Sequence, residues 1–345
     1  PPADRVGGPA MPFTSLFTSS VINPPATDDR DTSEDAITRL TNAIHDADTM
    51  VVGAGSGMST SAGYTYSGER FERYFSDFAR TYGIGDMYSG GFAEYPDLNT
   101  YWAWWSRSIY INRYMAPPKN TYGLLRSLLD GHDYTVITTN VDHCLQRAGF
   151  PDDRLFCTQG DYGLFQSSRT GTSRTYDNER DVKRMLLAQG FTFAHMTADT
   201  ADDWGELIAP DEAGGWAGIG MTIPDDLIPY CPDDGFPMAP NLRCDDTFAE
   251  DETWHECAER YQTFLDTRRA CEADGSQTLF LDLGSGGNTP IIFKFPFMQW
   301  TSVNRNATYA SINLGEAVTA PQIVDRSVLI DADIDATLRD VASRL

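Results

Sequence analysis

The chain has 345 residues, of which 41% are hydrophobic and 12% aromatic, as is typical of a soluble globular protein with one large domain or two modest ones. Its 50 acidic side chains outnumber the 26 basic ones and give a net charge of −24. Such a surface repels nucleic acids and anionic membranes, so we expect neither as a partner. The sequence contains no run of about 18 apolar residues, so we expect no membrane-spanning helix. The acidic excess has two readings, a solvated and salt-adapted surface or a docking surface for a basic partner.

The N-terminal segment and the cysteines bear on where the protein acts. Residues 1–31 are rich in Pro, Thr, Ser and Asp and lack the basic start and apolar stretch of a signal peptide. We interpret them as a flexible N-terminal extension. The six cysteines include no CxxC pair, so we expect free thiols in a reducing compartment. Both observations favour a cytoplasmic protein.

The first predicted element is a helix over Asp35–Asp46, in which apolar residues recur at helical spacing. A short apolar strand, Met50–Val52, follows and runs into a glycine-rich turn over residues 53–57. Four more short apolar strands are predicted over Tyr134–Thr138, Thr278–Leu283, Tyr309–Asn313 and Ser327–Ile330. A helix over Ala332–Leu345 closes the chain.

These elements predict an α/β fold. Continuous apolar strands separated by helical stretches are typical of a parallel sheet covered on both faces, so we expect a Rossmann-like parallel sheet domain. Two stretches interrupt the alternation: residues 64–120 are aromatic-rich and helical in pattern, and residues 160–245 are irregular, with a polar insert around Ala198–Gly220. We interpret them as a smaller module inserted in the sheet domain. The folded domain would span residues 32–345, with a Rossmann-like core at about 32–63, 121–160 and 246–345 and the small module at about 64–120 and 161–245.

Three predicted strands end in loops rich in Gly, Asn, Asp or Thr, at residues 53–63, 138–142 and 284–290. Ligands of parallel sheets bind at the carboxyl ends of the strands, so these loops are where we expect the chemistry. Glycines between a strand and a helix, as in Gly53–Gly63, let backbone N–H groups approach a pyrophosphate, although such loops are often only tight turns. The sequence therefore predicts phosphate binding there, with a plain turn as the alternative.

Five ordered motifs resemble those of the sirtuins. Gly55–Gly63 is similar to the sirtuin GAGxSxxxG loop, with Ser56 in place of its alanine, and Thr138–Asp142 with Arg147–Gly149 is similar to the TQNID…RAG signature. Three further segments resemble the second phosphate loop and the adenosine-side elements, namely Gly284–Gly286, Ser311–Asn313 and Asp331–Ile334. The order and spacing match from about residue 35 to the end. The chain is thereby identified as a member of the sirtuin superfamily, which implies a sirtuin-type catalytic domain that uses NAD⁺.

Departures from the common sirtuin pattern indicate one branch of the family. The usual catalytic His-Gly is replaced by Gln159-Gly160, and Tyr64–Gly68 stands where most sirtuins carry Ile-Pro-Asp-Phe-Arg. These departures are accompanied by the distinctive segments Arg70–Phe78, Asp86–Phe92, Tyr101–Ser106 and Asn241–Asp246. Together they resemble the class M sirtuins, which are encoded beside macrodomains and lipoyl-carrier proteins. The resemblance implies protein mono-ADP-ribosylation, with a lipoylated GcvH-like carrier protein as acceptor and a macrodomain hydrolase as a second partner.

The chemistry of Gln159 favours transfer over deacylation. Deacylation needs a base to activate a ribose hydroxyl, and histidine titrates near neutrality whereas glutamine does not. In ADP-ribosyl transfer the bond to nicotinamide opens to an oxocarbenium-like centre, and a carboxylate acceptor attacks without losing a proton. Two alternatives stay open, a sirtuin-type deacylase or delipoylase and a catalytically silent sensor of NAD⁺ or ADP-ribose.

The resemblance implies roles for four candidate catalytic residues. Asn140 would hold the ribose hydroxyls or the water near the reacting carbon, and Asp142 would fix the nicotinamide amide. Gln159 would bind the ribose, and Arg243 would face the acceptor or the developing charge. The predicted cofactor contacts are Gly55, Ser56, Gly57, Met58, Ser59, Gly63, Tyr64, Asn140, Asp142, Gln159, Gly284, Ser285, Asn288, Asn313 and Asp333.

Some of these residues also have simpler readings. Asn140 could be a turn residue at a strand end, and Arg243 could form a salt bridge to Asp245 or Asp246. An aromatic cluster could line an acyl-binding groove or pack in the core, and it consists of Trp102, Trp104 and Trp105.

We expect no structural zinc. Sirtuins usually carry a four-cysteine zinc site in the small module, and the corresponding positions in this chain are Ser167, Gly171, Cys231 and Asp234. One thiolate and one carboxylate do not make a tetrahedral sulfur site.

Overall fold

The computed structural model describes residues 33–195, 204–271 and 275–345. The predicted extension over residues 1–31 lies outside these ranges, as do residues 198–203 of the polar insert. In the described part the helices are α1 (Ser33–Asp46), α2 (Ser56–Ser61), α3 (Glu69–Tyr82), α4 (Met87–Gly91), α5 (Leu98–Ile109), α6 (Thr121–Leu128), α7 (Cys144–Arg147), α8 (Glu179–Ala188), α9 (Glu252–Cys271), α10 (Lys294–Val303) and α11 (Ile334–Ala342). A π-helical turn, Tyr110–Tyr114, continues α5. The strands are β1 (Thr49–Ala54), β2 (Asp133–Thr138), β3 (Leu155–Cys157), β4 (Gly160–Ser167), β5 (Thr175–Asp177), β6 (Met238–Leu242), β7 (Thr278–Leu283), β8 (Ala307–Ile312) and β9 (Ser327–Ile330).

Six parallel strands form the central sheet in the order β3-β2-β1-β7-β8-β9. The chain first builds outward from β1 to β3 and later from β7 to β9, so the strand order reverses between β1 and β7. This confirms the predicted α/β fold with a Rossmann-like parallel sheet. In sheets of this kind the reversal point opens the crevice in which ligands bind. β1 and β7 are buried at every residue, as continuous apolar strands predict.

The sequence located five of the six strands of this sheet, and the predicted bounds of β7 and β9 are confirmed at both ends. β1 is longer at both ends than predicted, and β8 ends at Ile312, so Asn313 lies in the loop beyond it. α11 begins at Ile334 rather than Ala332, because the Asp333 side chain accepts a hydrogen bond from the Ala336 amide at 3.0 Å and caps the helix. β3 is too short to show a periodic pattern.

The two faces of the sheet bury separate cores. Met50 and Val52 of β1 belong to a cluster that includes side chains of α1, α6 and α11. Val51, between them, belongs to a second cluster with side chains of α9 and α10. Successive residues of a strand point to opposite faces, so each strand contributes to both cores. No helix in the described ranges is long and apolar enough to cross a bilayer.

The small module has a core of its own, built largely from aromatic side chains. Its antiparallel sheet, in the order β5-β4-β6, and helix α8 lie within residues 160–245, which the sequence predicted as irregular. These strands have three to eight residues and are interrupted by Gly and polar residues, which weakens any alternating pattern. Trp102 and Trp104 are fully buried and Trp105 is 7% exposed, all in this core. The tryptophan cluster therefore packs in the core and does not line an open groove.

Candidate active site

Two glycine loops meet where the strand order reverses. The Gly55 amide donates to the Leu283 carbonyl, and the Gly57 amide donates to the Gly284 carbonyl, both at 2.9 Å. A Cβ on Gly55 would lie 2.4 Å from the Gly284 carbonyl oxygen, and Gly284 itself adopts a φ of +70°. Because the two backbones touch, neither loop accommodates a side chain here. The pair forms a narrow cradle lined by backbone at the carboxyl ends of β1 and β7.

The loop after β2 is tied to the same cradle through Asn140. The Asn140 Nδ2 donates to the Gly55 carbonyl at 2.8 Å and lies 3.3 Å from the Tyr122 hydroxyl. The Asn140 amide nitrogen is satisfied by the Thr138 hydroxyl at 3.0 Å. Asn140 therefore lies in the turn after β2, as its simpler reading states, and its side chain also reaches the cradle.

Asp142 lies two residues further along the same loop and is 6% exposed. Its carboxylate accepts hydrogen bonds from the Ser59 hydroxyl of α2 and from the Cys144 amide. Burial raises the pKa of Asp142, and these hydrogen bonds offset part of the rise. Ser59 therefore serves to fix Asp142, and Met58 beside it is fully buried, so only its backbone can face a ligand.

The loop after β7 is linked to the loop after β8. The Asn313 Nδ2 donates to the Ser285 carbonyl at 2.9 Å, and the Ser285 hydroxyl donates to Asp282 at 2.9 Å. Asp282 is fully buried, with the Tyr309 hydroxyl at 3.0 Å and Lys294 at 3.9 Å. Burial raises the pKa of Asp282, and Lys294 lowers it in part. The sequence analysis did not predict this network. The feature that could have indicated it is Asp282, a single carboxylate within an apolar strand.

Three other predicted contacts lie at the margins of the cradle. Both Asp333 carboxylate oxygens are engaged, one in capping α11 and the other by the Ser61 hydroxyl at 2.8 Å. Asn288 is exposed on the loop after β7, and Ser56 is exposed at the start of α2. Their roles in binding a ligand stay predictions.

Tyr64 closes the end of the first glycine loop. It is 2% exposed, and its hydroxyl donates to the Met115 carbonyl and accepts from Arg147 at 3.1 Å. Burial raises the pKa of Tyr64, so the phenol stays protonated. A cleft of about 530 Å³ begins at Gly63 and Tyr64 and is flanked by Arg70 and Glu206 of the small module.

Gln159 and Arg243 come together at the boundary of the sheet and the small module. The Arg243 amide donates to the Gln159 carbonyl at 3.0 Å, while the Gln159 side chain makes no hydrogen bond to a described residue. The Arg243 guanidinium pairs with Glu250 at 2.5 Å and stacks 4.2 Å from the centre of the Phe248 ring. The expected alternative of a bridge to Asp245 or Asp246 is therefore wrong. The Asp245 carboxylate is instead held by the Thr247 amide at 2.8 Å.

A histidine that the sequence analysis did not single out lies beside these residues. The His143 Nδ1 is 2.7 Å from the Asp161 carboxylate, which also binds the Arg113 guanidinium at 2.8 Å. Burial raises the pKa of Asp161, but His143, Arg113 and the Gly163 amide together bring it below its ordinary value. The available signs were a histidine directly after Asp142 and an aspartate directly after Gln159-Gly160.

Of the four positions that correspond to a sirtuin zinc site, two are hydrogen-bonded to each other. The Ser167 hydroxyl donates to Asp234 at 2.8 Å, and Cys231 lies 3.5 Å from the Tyr176 hydroxyl. Over the described ranges, no three His, Cys, Asp or Glu side chains are grouped so as to hold a metal ion. The expectation that the protein carries no zinc stays a prediction.

Comparison with known proteins identifies two relatives. The chain is 32% identical over 300 residues to a protein ADP-ribosyltransferase of Staphylococcus aureus (strain Mu50 / ATCC 700699), and the match covers 87% of this chain and 84% of that protein. It is 30% identical over 128 residues to a probable bifunctional ADP-ribose hydrolase/ADP-ribosyltransferase of Fusarium oxysporum f. sp. cubense, which covers 36% of this chain and 21% of the relative. No protein-family model matches the chain.

Among solved structures, the chain is similar to Sir2 enzymes. A structure concerned with the mechanism and regulation of Sir2 enzymes is 16% identical, with 90% of this chain and 100% of that chain covered and a TM-score of 0.47. A mutant Sir2 homologue in complex with ADP-ribose is 13% identical, with 89% and 96% covered and a TM-score of 0.47.

Proposed function

The chain is a sirtuin-type member of the protein ADP-ribosyltransferase family, and from this premise we propose that it transfers one ADP-ribose unit from NAD⁺ to a protein and releases nicotinamide. The observation that carries the proposal is the convergence of three strand ends on one cradle. The loops after β1 and β7 touch through Gly55 and Gly284, and Asn140 after β2 binds the first of them. Residues from three of the sirtuin-like motifs thus meet at this cradle.

The cradle fits a dinucleotide. Gly55 and Gly284 pack backbone against backbone without a Cβ, so no side chain fills the point where the two loops meet and a pyrophosphate can lie against them. We place the adenosine half toward Ser285 and Asn313 and the nicotinamide half toward Asp142. α2 has only six residues, so we attribute phosphate binding to the backbone of the loops and not to a helix dipole.

The residues around the nicotinamide half support transfer. Bond cleavage leaves positive charge on the ribose, and we assign the Asp142 carboxylate to this end of the site. The Gln159 side chain has no partner among the described residues and can bind a ribose hydroxyl, but it cannot take up a proton near neutral pH. Arg243, held by Glu250, would lie on the acceptor side.

The finer assignments rest on the class M resemblance. We propose that the acceptor is a lipoylated GcvH-like carrier protein, that a macrodomain hydrolase reverses the modification, and that the protein acts in the cytoplasm. An acidic surface is compatible with a basic patch on either partner.

The test is to incubate the protein with NAD⁺ and a lipoylated carrier and to analyse the carrier by mass spectrometry. We expect a mass gain of one ADP-ribose and an equal amount of free nicotinamide. The unlipoylated carrier is the matched control. Loss of the lipoyl group would indicate a delipoylase, and NAD⁺ binding without any product would indicate a sensor; either result contradicts the proposal.

A further inference from the structure

The pair formed by His143 and Asp161 joins the two segments that carry the candidate catalytic residues. His143 directly follows Asp142 in the loop after β2, and Asp161 lies two residues after Gln159. Asp161 binds the His143 Nδ1 through one oxygen, at 2.7 Å, and the Arg113 guanidinium through the other, at 2.8 Å. The imidazole is thus held at the boundary between the sheet and the small module, next to the proposed nicotinamide end of the site.

The backbone of His143 has an uncommon conformation. Its φ is +63°, and no other non-glycine residue in the described part of the chain has a positive φ. Such a conformation is energetically costly for a residue with a side chain and persists where the surroundings impose it, often at functional sites. Here it presents the ring to Asp161.

The other ring nitrogen of His143 is available. With Nδ1–H donated to Asp161, Nε2 carries the lone pair. Nε2 makes no hydrogen bond to a described residue, and the side chain is 31% exposed. An imidazole oriented by a carboxylate at one nitrogen and open at the other is the arrangement of a general base.

We propose that His143 is the base of this site and that its Nε2 takes the proton from an acceptor that is neutral before it attacks, such as water or a hydroxyl group. The proposal rests on the proposed function. In the step, the bond between ribose C1′ and the nicotinamide nitrogen breaks, and its electron pair leaves with neutral nicotinamide. The acceptor oxygen bonds to C1′, and its proton passes to Nε2, which leaves an imidazolium paired with Asp161. This supplies the proton acceptor that Gln159 cannot provide.

The charged groups around the imidazole suit this role. Asp161 faces it from β4 and stays ionised across the neutral range, because its pKa lies below the ordinary value. Arg113, from the π-helical turn, contacts the far oxygen of Asp161 and not the ring. Two other charged groups lie on the same segment as His143. Asp142 accepts a hydrogen bond from Ser59, and Arg147 donates one to Tyr64. The carboxylate of Asp161 is thus the group that stabilises the imidazolium.

The test replaces His143 with asparagine and follows the hydrolysis of NAD⁺, in which water is the acceptor. Asparagine tolerates a positive φ, and its Nδ2 can donate to Asp161 as the imidazole does, so the variant keeps both features. His132→Asn is the matched control. The His132 Nδ1 is likewise held, by the Ala47 carbonyl at 3.1 Å, but His132 lies before β2, at the amino ends of the strands.

We expect His143→Asn to lower the rate of nicotinamide release by about 10²–10⁴-fold, with NAD⁺ affinity and melting temperature unchanged. Asp161→Asn should also lower the rate, because the imidazolium loses its carboxylate partner. His132→Asn should behave as the wild type.

Three results would overturn the inference. Hydrolysis by His143→Asn at the wild-type rate would show that the ring accepts no proton. A parallel loss of NAD⁺ affinity would make His143 a binding residue. If the wild-type protein binds NAD⁺ but releases no nicotinamide under any condition, the proposed function fails, and the base fails with it. The first two results leave the proposed function standing.

Discussion

The side-chain amide of Asn140 holds the cradle with its nitrogen and leaves its oxygen for the proposed chemistry. Nδ2 is committed to the Gly55 carbonyl at 2.8 Å, while Oδ1 makes no hydrogen bond to a described residue. An oxygen held in this way is positioned for a ribose hydroxyl or a water molecule. The side chain can therefore contribute to catalysis only as long as the cradle holds it in place.

We expect Asn140→Ala to reduce nicotinamide release by about 10²–10³-fold, because it removes a fixed hydrogen-bonding group at the reacting ribose. The fold should persist, with a loss of about 1 kcal/mol for one hydrogen bond. Asn99→Ala is the matched control, since the Asn99 Nδ2 binds the Ile223 carbonyl at 2.8 Å within the small module. Initial rates and thermal unfolding of both variants check this. A wild-type rate in Asn140→Ala would remove Asn140 from the mechanism.

At the scale of elements, the contact between the two glycine loops sets the width of the cradle. We expect Gly55→Ala to push the loops apart, because its Cβ would lie 2.4 Å from the Gly284 carbonyl oxygen and 2.7 Å from the Ser285 Cα. The stability should fall by about 1–3 kcal/mol, as overpacking does, and NAD⁺ should bind at least about tenfold more weakly. The measurements are chemical denaturation and calorimetric titration with NAD⁺.

The loop after β7 provides the control for that substitution. A Cβ on Gly287 would meet no atom within 4 Å, so Gly287→Ala should change neither stability nor affinity measurably. Equal behaviour of the two variants would mean that the contact between the loops does not shape the site.

A second element of interest is the buried arginine of the small module. Arg107 is fully buried, with both Asp77 oxygens within 2.9 Å, Gln189 at 2.8 Å and the Gly220 carbonyl at 2.9 Å. Burial lowers the pKa of Arg107, and the Asp77 carboxylate opposes that effect. The guanidinium thus ties α3, α5 and the segments after α8 into one core.

Arg107→Met should lower the free energy of unfolding by about 3–5 kcal/mol, because it leaves Asp77 as an unpaired buried charge. Arg174→Met is the matched control: its bridge to Asp233 is exposed, with the arginine side chain 70% accessible, and should contribute about 0–1 kcal/mol. Urea denaturation of the two variants measures both values. A small effect at Arg107 would show that the module relaxes around the unpaired carboxylate.

The sequence predicted those elements whose signal is local. Apolar strands and glycine loops carry their pattern within ten residues, so the sheet and the cradle followed from periodicity and from the sirtuin motifs. The pairs His143–Asp161 and Arg107–Asp77 join residues 18 and 30 positions apart, and no local pattern reports them. Arg243 shows the opposite error, since its simpler reading considered only the nearest carboxylates, and Asp245 is engaged by a turn.

At the scale of the whole molecule, polar contacts connect the small module to the sheet. The Tyr64 hydroxyl binds the Met115 carbonyl, and Arg147 of α7 binds Tyr64, Met115 and the Arg113 carbonyl. Arg113 in turn binds Asp161. Tyr64, in the segment Tyr64–Gly68 that replaces the usual sirtuin loop, is therefore hydrogen-bonded both to α7 and to Met115. These contacts fix how the small module meets the sheet.

This connection determines what Gln159→His can achieve. The substitution restores a titratable base in the motif position, but deacylation also requires an acyl-lysine in extended form between the two parts, with its carbonyl oxygen against the reacting ribose carbon. Here that boundary is occupied by Tyr64, which is buried under the Arg70 guanidinium at 4.8 Å. A misplacement of about 1 Å can cost on the order of 10²-fold in rate even when the correct groups are present. We therefore expect Gln159→His to remain a poor deacylase on acetyl- and lipoyl-lysine peptides, measured as O-acyl-ADP-ribose formed per NAD⁺ consumed. Turnover comparable with that of an ordinary sirtuin would show that Gln159 alone separates the two activities and that the segment Tyr64–Gly68 leaves room for an acyl-lysine.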